Sequence, residues 1–324
     1  MKTWQKVFLG VATALLVLLV VAYFGMGYVI YGELGNVKGS CDEHLANRPD
    51  SFAQYPTWPA GFDLAPYFMP SYELVRFPSG DPGIEIAGWW IPKNPAAPAV
   101  ILVDGLGGCK HSIAVLVPAG MLSRNGFSVL LIDLRDTGDS TLEDGRSTIG
   151  NEEYRDVLGA WNWLVTEKGF DPGRIGLFAN SLGGATALYA FSEEPRIAAL
   201  FLQSTFGNLQ QIIAAELKRN GFPVFLAPGA LVAGSIVTGT SLFSHNPLDA
   251  IRKATGRPVY ILHTRADTRI DIHQSEQLAD AAQAADVNVT TWFPESGEHV
   301  QTPAVYPQEF GRRLVDFFRE NLGN

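Results

Sequence analysis

Arg174-Ile175-Gly176-Leu177-Phe178-Ala179-Asn180-Ser181-Leu182-Gly183-Gly184 is the stretch on which the fold turns. An apolar run ends at Ser181, with Ala179 two residues before it and Gly183 two residues after it. A helix-forming segment, Ala185 to Phe191, follows at once. A strand that turns this sharply into a helix leaves almost no room for side chains two positions either side of the turn residue, which is the small-x-Ser-x-Gly nucleophile elbow. The reading puts Ser181 in a strained backbone conformation, hydroxyl exposed, at the N-terminus of the next helix. There the helix dipole and the free amides favour developing negative charge. A plain strand-to-helix turn would read much the same, and glycine is commoner than alanine at position 179, so the partners of Ser181 decide.

Two such partners follow in order. The strand Pro258 to Leu262 runs into His263-Thr264-Arg265-Ala266-Asp267. The strand Val287 to Phe293 runs into Pro294-Glu295-Ser296-Gly297-Glu298-His299. Asp267 and His299 each sit just past the C-terminal end of an apolar strand, and in a parallel sheet those ends share one edge. A serine hydroxyl is a weak nucleophile and needs a histidine to take its proton. A carboxylate then fixes the imidazole tautomer and stabilises the imidazolium. Ser181, Asp267 and His299 supply that set in the chain order Ser–Asp–His.

From Tyr72 to Leu322 the chain resembles the α/β-hydrolase superfamily, in particular the single-domain hydrolases grouped with BEM46-like proteins and serine aminopeptidase-type esterases. Val100 to Gly108 is similar to the oxyanion strand and turn of that family, usually His-Gly-x-x-Gly. Leu130 to Ser140 is similar to its Asp-x-Arg-Gly-x-Gly-x-Ser loop, and Asn246 to Ile251 to the short helix before the acid strand. The resemblance implies an oxyanion hole formed by the amides of Leu106 and Leu182. Such donors are worth about 2.7–4 kcal/mol each in comparable enzymes. Three positions depart from the pattern: Asp104 replaces the usual histidine, Asp136 the glycine after arginine, and Thr264 the glycine before the acid loop.

Each residue also has a plainer reading. Ser181 and Asp267 both suit helix caps, and His299 suits an ordinary surface histidine. Asp271 and Glu295 are rival acids. His263, at the end of a buried strand, is expected to be a structural hydrogen-bonding residue. His44, His111, His245 and His273 show no metal-ligand spacing, so no metal and no cofactor is expected. Asp104 and Cys109 flank the oxyanion turn, where a structural role is favoured.

The N-terminus carries the second large signal. No residue from Val7 to Tyr31 is charged. As a helix this run spans about 37 Å at ~1.5 Å per residue, enough to cross a bilayer. Lys2 and Lys6 precede it, and Glu33, Asp42 and Glu43 follow, against Lys38 and Arg48. The positive-inside rule then puts the N-terminus in the cytoplasm and the rest outside it. A cleaved signal peptide is the alternative, but the apolar run is long for one and no Ala-x-Ala site follows. A lipid-modified Cys41 is disfavoured by its Lys38-Gly39-Ser40 context. The expected organisation is an anchor over residues 1–31, a proline- and aromatic-rich arm over 32–70, and a hydrolase domain over 71–324. The arm either packs on the domain or sits among headgroups.

The net charge of −9 argues against nucleic-acid partners. The two cysteines, Cys41 and Cys109, could pair, but one lies in the arm and the other in the core, which disfavours a disulfide. Along the domain, strands alternate with helices, which implies a mostly parallel eight-stranded sheet with helices on both faces. An insertion over about 204–246 interrupts the alternation where a hydrolase lid sits. Its second half, Gly221 to Phe243, has no charge. Pro223, Pro228 and its glycines argue against a second span, leaving a buried cap or an apolar, membrane-touching lid.

The sequence thus implies a membrane-anchored serine hydrolase with an acyl-enzyme intermediate and a small-molecule or lipid-like acyl substrate. Amidase, peptidase, thioesterase and acyltransferase chemistry share this machinery. A non-catalytic anchored binding protein is the reading from another class, kept open by Asp104 and Asp136.

Overall fold

The apolar runs of the sequence pair into one sheet in the order β1-β2-β4-β3-β5-β6-β7-β8. The strands are β1 (Glu73–Pro78), β2 (Glu85–Ile91), β3 (Ala99–Val103), β4 (Ser128–Ile132), β5 (Ile175–Asn180), β6 (Ala199–Gln203), β7 (Pro258–Leu262) and β8 (Asn288–Trp292). In this computed structural model the described residues are 2–41, 44–55, 58–94 and 96–323. Strands β1 and β2 pair antiparallel, β2 joins β4 antiparallel, and every other pairing is parallel. Central strands β3, β4, β5 and β6 are buried throughout. Burial on both faces is why they read as unbroken apolar runs rather than alternating ones.

The helices are α1 (Thr3–Leu34), α2 (Ile113–Arg124), α3 (Tyr154–Thr166), α4 (Ser181–Glu193), α5 (Leu209–Arg219), α6 (Ala227–Thr238), α7 (Pro247–Arg252), α8 (His273–Gln283), α9 (Thr302–Val305) and α10 (Pro307–Leu322). The chain leaves β3 through α2 to reach β4 on one side, whereas β5 lies on the other side of β3. That reversal makes a switch point at the C-terminal ends of β3 and β5, the place where open α/β sheets hold ligands.

Two compact units emerge, and they divide the chain differently from the sequence reading. Val37–Asn208 and His245–Asn324 form one unit; Met1–Asn36 and Leu209–Ser244 form the other. The arm therefore belongs with the sheet, and the greater part of the insertion belongs with the apolar helix. The arm joins the sheet unit because its aromatics are core residues. Phe52, Trp58, Tyr67 and Met69 are buried in the same cluster as residues of α2 and α10. Cys41 and Cys109 form a disulfide with their Cα atoms 6.0 Å apart. The pairing that the sequence disfavoured is thus made: the arm folds back onto the turn after β3 and brings Cys41 to it.

In the other unit, α1 is long and apolar enough to cross a membrane. Its buried residues are Gly27, Ile30 and Tyr31, all near its C-terminal end. Ile30 packs with Leu217, Leu226 and Ala230 of the insertion. Gly27 meets α6 so closely that a Cβ there would strike the Gly229 carbonyl. Glycine at 27 lets the helix backbones approach and glycine at 229 leaves room for the Tyr23 ring, contacts that no apolar count along the sequence reveals.

Candidate active site

Ser181 begins α4 with a φ of 52°. This left-handed conformation is unfavourable for a residue with a Cβ. The surroundings enforce it. A Cβ on Gly183 would strike the carbonyl oxygen of Asp104, and one on Gly184 the Thr205 hydroxyl. A Cβ on Gly105 would lie 2.9 Å from that of Ser181, so the turn after β3 lies directly against the serine. Leu182 is the second residue of α4, and its N–H has no acceptor within the helix. Leu106 stands exposed on the neighbouring turn.

Asp267 is buried at the end of the β7 loop. Its Oδ2 lies 2.7 Å from His299 Nδ1. Its Oδ1 accepts from the amides of Arg269 at 2.8 Å and Ile270 at 2.9 Å. Burial alone would raise the carboxyl's pKa. The hydrogen bonds and charge of His263 and His299 outweigh it and hold the group well below the usual carboxylate range. Asp267 therefore caps a turn and meets a histidine at once.

The loops carrying Asp267 and His299 are tied together. Thr264, which replaces a family glycine, donates from Oγ1 to the Gly297 carbonyl at 2.6 Å. Thr268 donates its amide and hydroxyl to Glu298 Oε2, at 3.1 and 2.8 Å. Gly297 has a φ of 107°, open only to glycine, which turns the chain into His299. The rival acids are engaged elsewhere. Asp271 accepts from the His273 amide at the start of α8, and exposed Glu295 faces Arg265 at 3.5 Å. His263 is buried, with Nδ1 2.7 Å from Ser275 Oγ and Nε2 2.9 Å from the Ile270 carbonyl. It is structural as expected, and it also reaches Asp267.

Ser181 and His299 line one open cavity of about 540 Å³, together with Leu106, Asp104, Tyr55 and Trp58. Sequence reading missed Tyr55 and Trp58 as site residues, because the arm has no motif and its path is set by tertiary packing. The Tyr55 hydroxyl accepts from the Ile113 amide at 3.2 Å. Burial, and secondarily the charge of Asp104, push its phenol well above the ordinary value, so it stays neutral.

The family departures have local reasons. Asp136 has a φ of 64°, the conformation that makes glycine usual there. Its Oδ1 accepts from the amides of Glu143, Asp144 and Gly145, which offsets the strain. Asp104 Oδ1 accepts from Asn180 Nδ2 at 3.3 Å. Nearby, Asp133, Asp139 and His111 converge in the manner of metal ligands, but Lys110 fills the centre of the group. Its Nζ lies 2.5 Å from each aspartate, and the lysine is wholly buried. The ammonium takes the place a cation would need.

Comparison with known proteins agrees with this architecture. The alpha/beta hydrolase fold family matches residues 98–235. The structure superposes on an esterase of Pyrococcus furiosus with a TM-score of 0.65 at 21% identity, covering 86% of this chain and 98% of that one. The chain carries the α/β-hydrolase fold. An acylaminoacyl peptidase of Pyrococcus horikoshii gives a TM-score of 0.60 at 19% identity, over 78% of this hydrolase-fold chain and 42% of that one. An uncharacterized protein of Mycobacterium tuberculosis is 33% identical over 136 residues, 41% of this chain and 46% of its relative. The chain thus spans just under half the length of that relative.

Proposed function

We propose that this chain is a membrane-anchored serine hydrolase of the BEM46-like kind that cleaves an acyl ester through Ser181, His299 and Asp267. The observation that carries the reading is the strained Ser181 sharing a cavity with His299, whose Nδ1 meets Asp267 at 2.7 Å. With Nδ1 turned to the carboxylate, Nε2 is the ring atom left to take the Ser181 proton. Ser181 Oγ attacks the carbonyl carbon, and the C=O electron pair moves to oxygen. The amides of Leu106 and Leu182 donate to that oxyanion. As the carbonyl re-forms, the alcohol leaves with the proton from His299. Water, deprotonated by the same histidine, then releases the acid from the serine.

An esterase is among the structural neighbours covered almost whole, and aromatic walls from Tyr55 and Trp58 suit an apolar acyl group. The peptidase neighbour is why an amide series belongs in the test. The charge-free run of α1, preceded by Lys2 and Lys6, supports a membrane span with the N-terminus cytoplasmic and the sheet unit outside. Hydrolysis of matched nitrophenyl ester and anilide series by the full chain, beside Ser181→Ala, tests the activity. Ester turnover lost in the variant supports it. Equal turnover in both proteins contradicts it.

A further inference from the structure

We propose that Val224 and Phe225, carried by the insertion against α1, form an interfacial surface that rests in the outer leaflet of the bilayer crossed by α1. The inference rests on the anchor reading and adds a second contact with the membrane.

Depth along α1 is the first argument. Lys6 is the last charged residue before the apolar run. A hydrocarbon layer of about 30 Å takes about 20 residues of helix, which carries the span from Val7 to about Met26. Phe225 stacks on Tyr23, ring centroids 6.5 Å apart. It therefore lies beside a residue about 4–5 Å inside the outer boundary. Gly229 faces Gly27, at the boundary itself. Tyr31 meets Gly234, so α6 climbs away from the membrane in step with α1.

Exposure is the second argument. Phe225 is 66% exposed and Val224 50%. They continue the bare apolar surface of α1 without a charged residue between Gly221 and Phe243. Single exposed apolar residues are common, but here two adjoin a bare apolar helix just inside the outer hydrocarbon boundary. An aromatic ring at that level suits the membrane interface.

The third argument concerns backbone polarity. Near hydrocarbon, unpaired N–H and C=O groups are costly. The start of α6 leaves none of its early donors to water. The Ala227 amide donates to the Val224 carbonyl, and Pro228 has no amide proton. Gly229 N–H donates to the Tyr23 hydroxyl at 3.1 Å. That hydroxyl donates in turn to the Phe225 carbonyl at 3.1 Å. A tyrosine from the spanning helix thus seals the polar end of the segment beside it.

The test places an environment-sensitive nitrobenzoxadiazole label on Phe225→Cys in the full chain, in phosphatidylcholine vesicles. Spin-labelled lipids carry the quencher near the glycerol or near the acyl-chain end. The native cysteines are paired, so the introduced thiol alone reacts. Val17→Cys, near the middle of the span, reports on the anchor separately. The expected result is strong quenching at 225 by the shallow label and at 17 by the deep one. Quenching at 17 with none at 225 overturns the proposal and leaves the anchor standing. A blue-shifted but unquenched label at 225 overturns it in favour of a second copy of the chain covering this face. No quenching at either site removes the anchor reading as well.

Discussion

His263 Nε2 lies 3.1 Å from Asp267 Oδ2, the oxygen that faces His299 Nδ1 at 2.7 Å. One carboxylate oxygen is thus shared by a buried histidine behind it and a partly exposed histidine before it. His263 is fixed in turn by Ser275 and the Ile270 carbonyl, so the carboxylate has little freedom to rotate away from His299. On the proposed mechanism His263 is a positioning residue.

Replacing it should therefore slow the chemistry without touching substrate binding. His263→Phe leaves Asp267 buried with one fewer donor, a loss of about 1–3 kcal/mol in stability. The expected kinetic signature is a lower kcat with KM little changed, partly rescued in His263→Gln, which keeps a donor. An unchanged kcat in a folded His263→Phe would show that His263 only packs.

The pH dependence of stability has a definite sign. The folded state lowers the Asp267 pKa, so its ionised form favours folding. That contribution is complete above the ordinary carboxylate value of about 4 and declines as pH falls toward the depressed folded value. The Tm advantage of the native chain over Asp267→Asn should hold steady from neutrality to about pH 5 and shrink below about pH 4. Thermal unfolding of both proteins across that range checks it.

Strain at Ser181 gives a stability prediction independent of catalysis. Its φ of 52° is ordinary for glycine and unfavourable for alanine. Ser181→Gly should be more stable than Ser181→Ala by about 1 kcal/mol, while both lose activity. Denaturant midpoints of the two inactive variants decide it.

The disulfide links the arm to the turn that carries Leu106. Cys41 and Cys109 are 68 residues apart in sequence, and Ser40 already packs on Gly107 of that turn. Cys41→Ser with Cys109→Ser should cost about 2–5 kcal/mol of stability. On the proposed mechanism it should also lower kcat, because a loosened turn no longer holds its amide against the oxyanion. Unfolding curves and ester kinetics with and without reductant measure both effects.

What could be read from the sequence is whatever local spacing encodes. The Ala179-x-Ser181-x-Gly183 turn, the apolar strands and the loops ending in Asp267 and His299 each follow from a few consecutive residues. The Cys41–Cys109 pairing does not, because it depends on the path of an arm that is held by core packing. Nor does the union of α1 with α6, since glycine at 27 and glycine at 229 are individually uninformative. Asp136 looked like a defect in a motif because its three amide partners lie seven to nine residues downstream. His263 was legible as a hydrogen-bonding residue, but the aspartate as its partner emerges only when the β7 loop closes.

The most direct test of the central claim is labelling of the full chain in detergent with a fluorophosphonate, read by intact mass beside Ser181→Ala. The account predicts addition of one probe to the native protein and none to the variant. No labelling of folded native protein, or equal labelling of both, would contradict a nucleophilic Ser181.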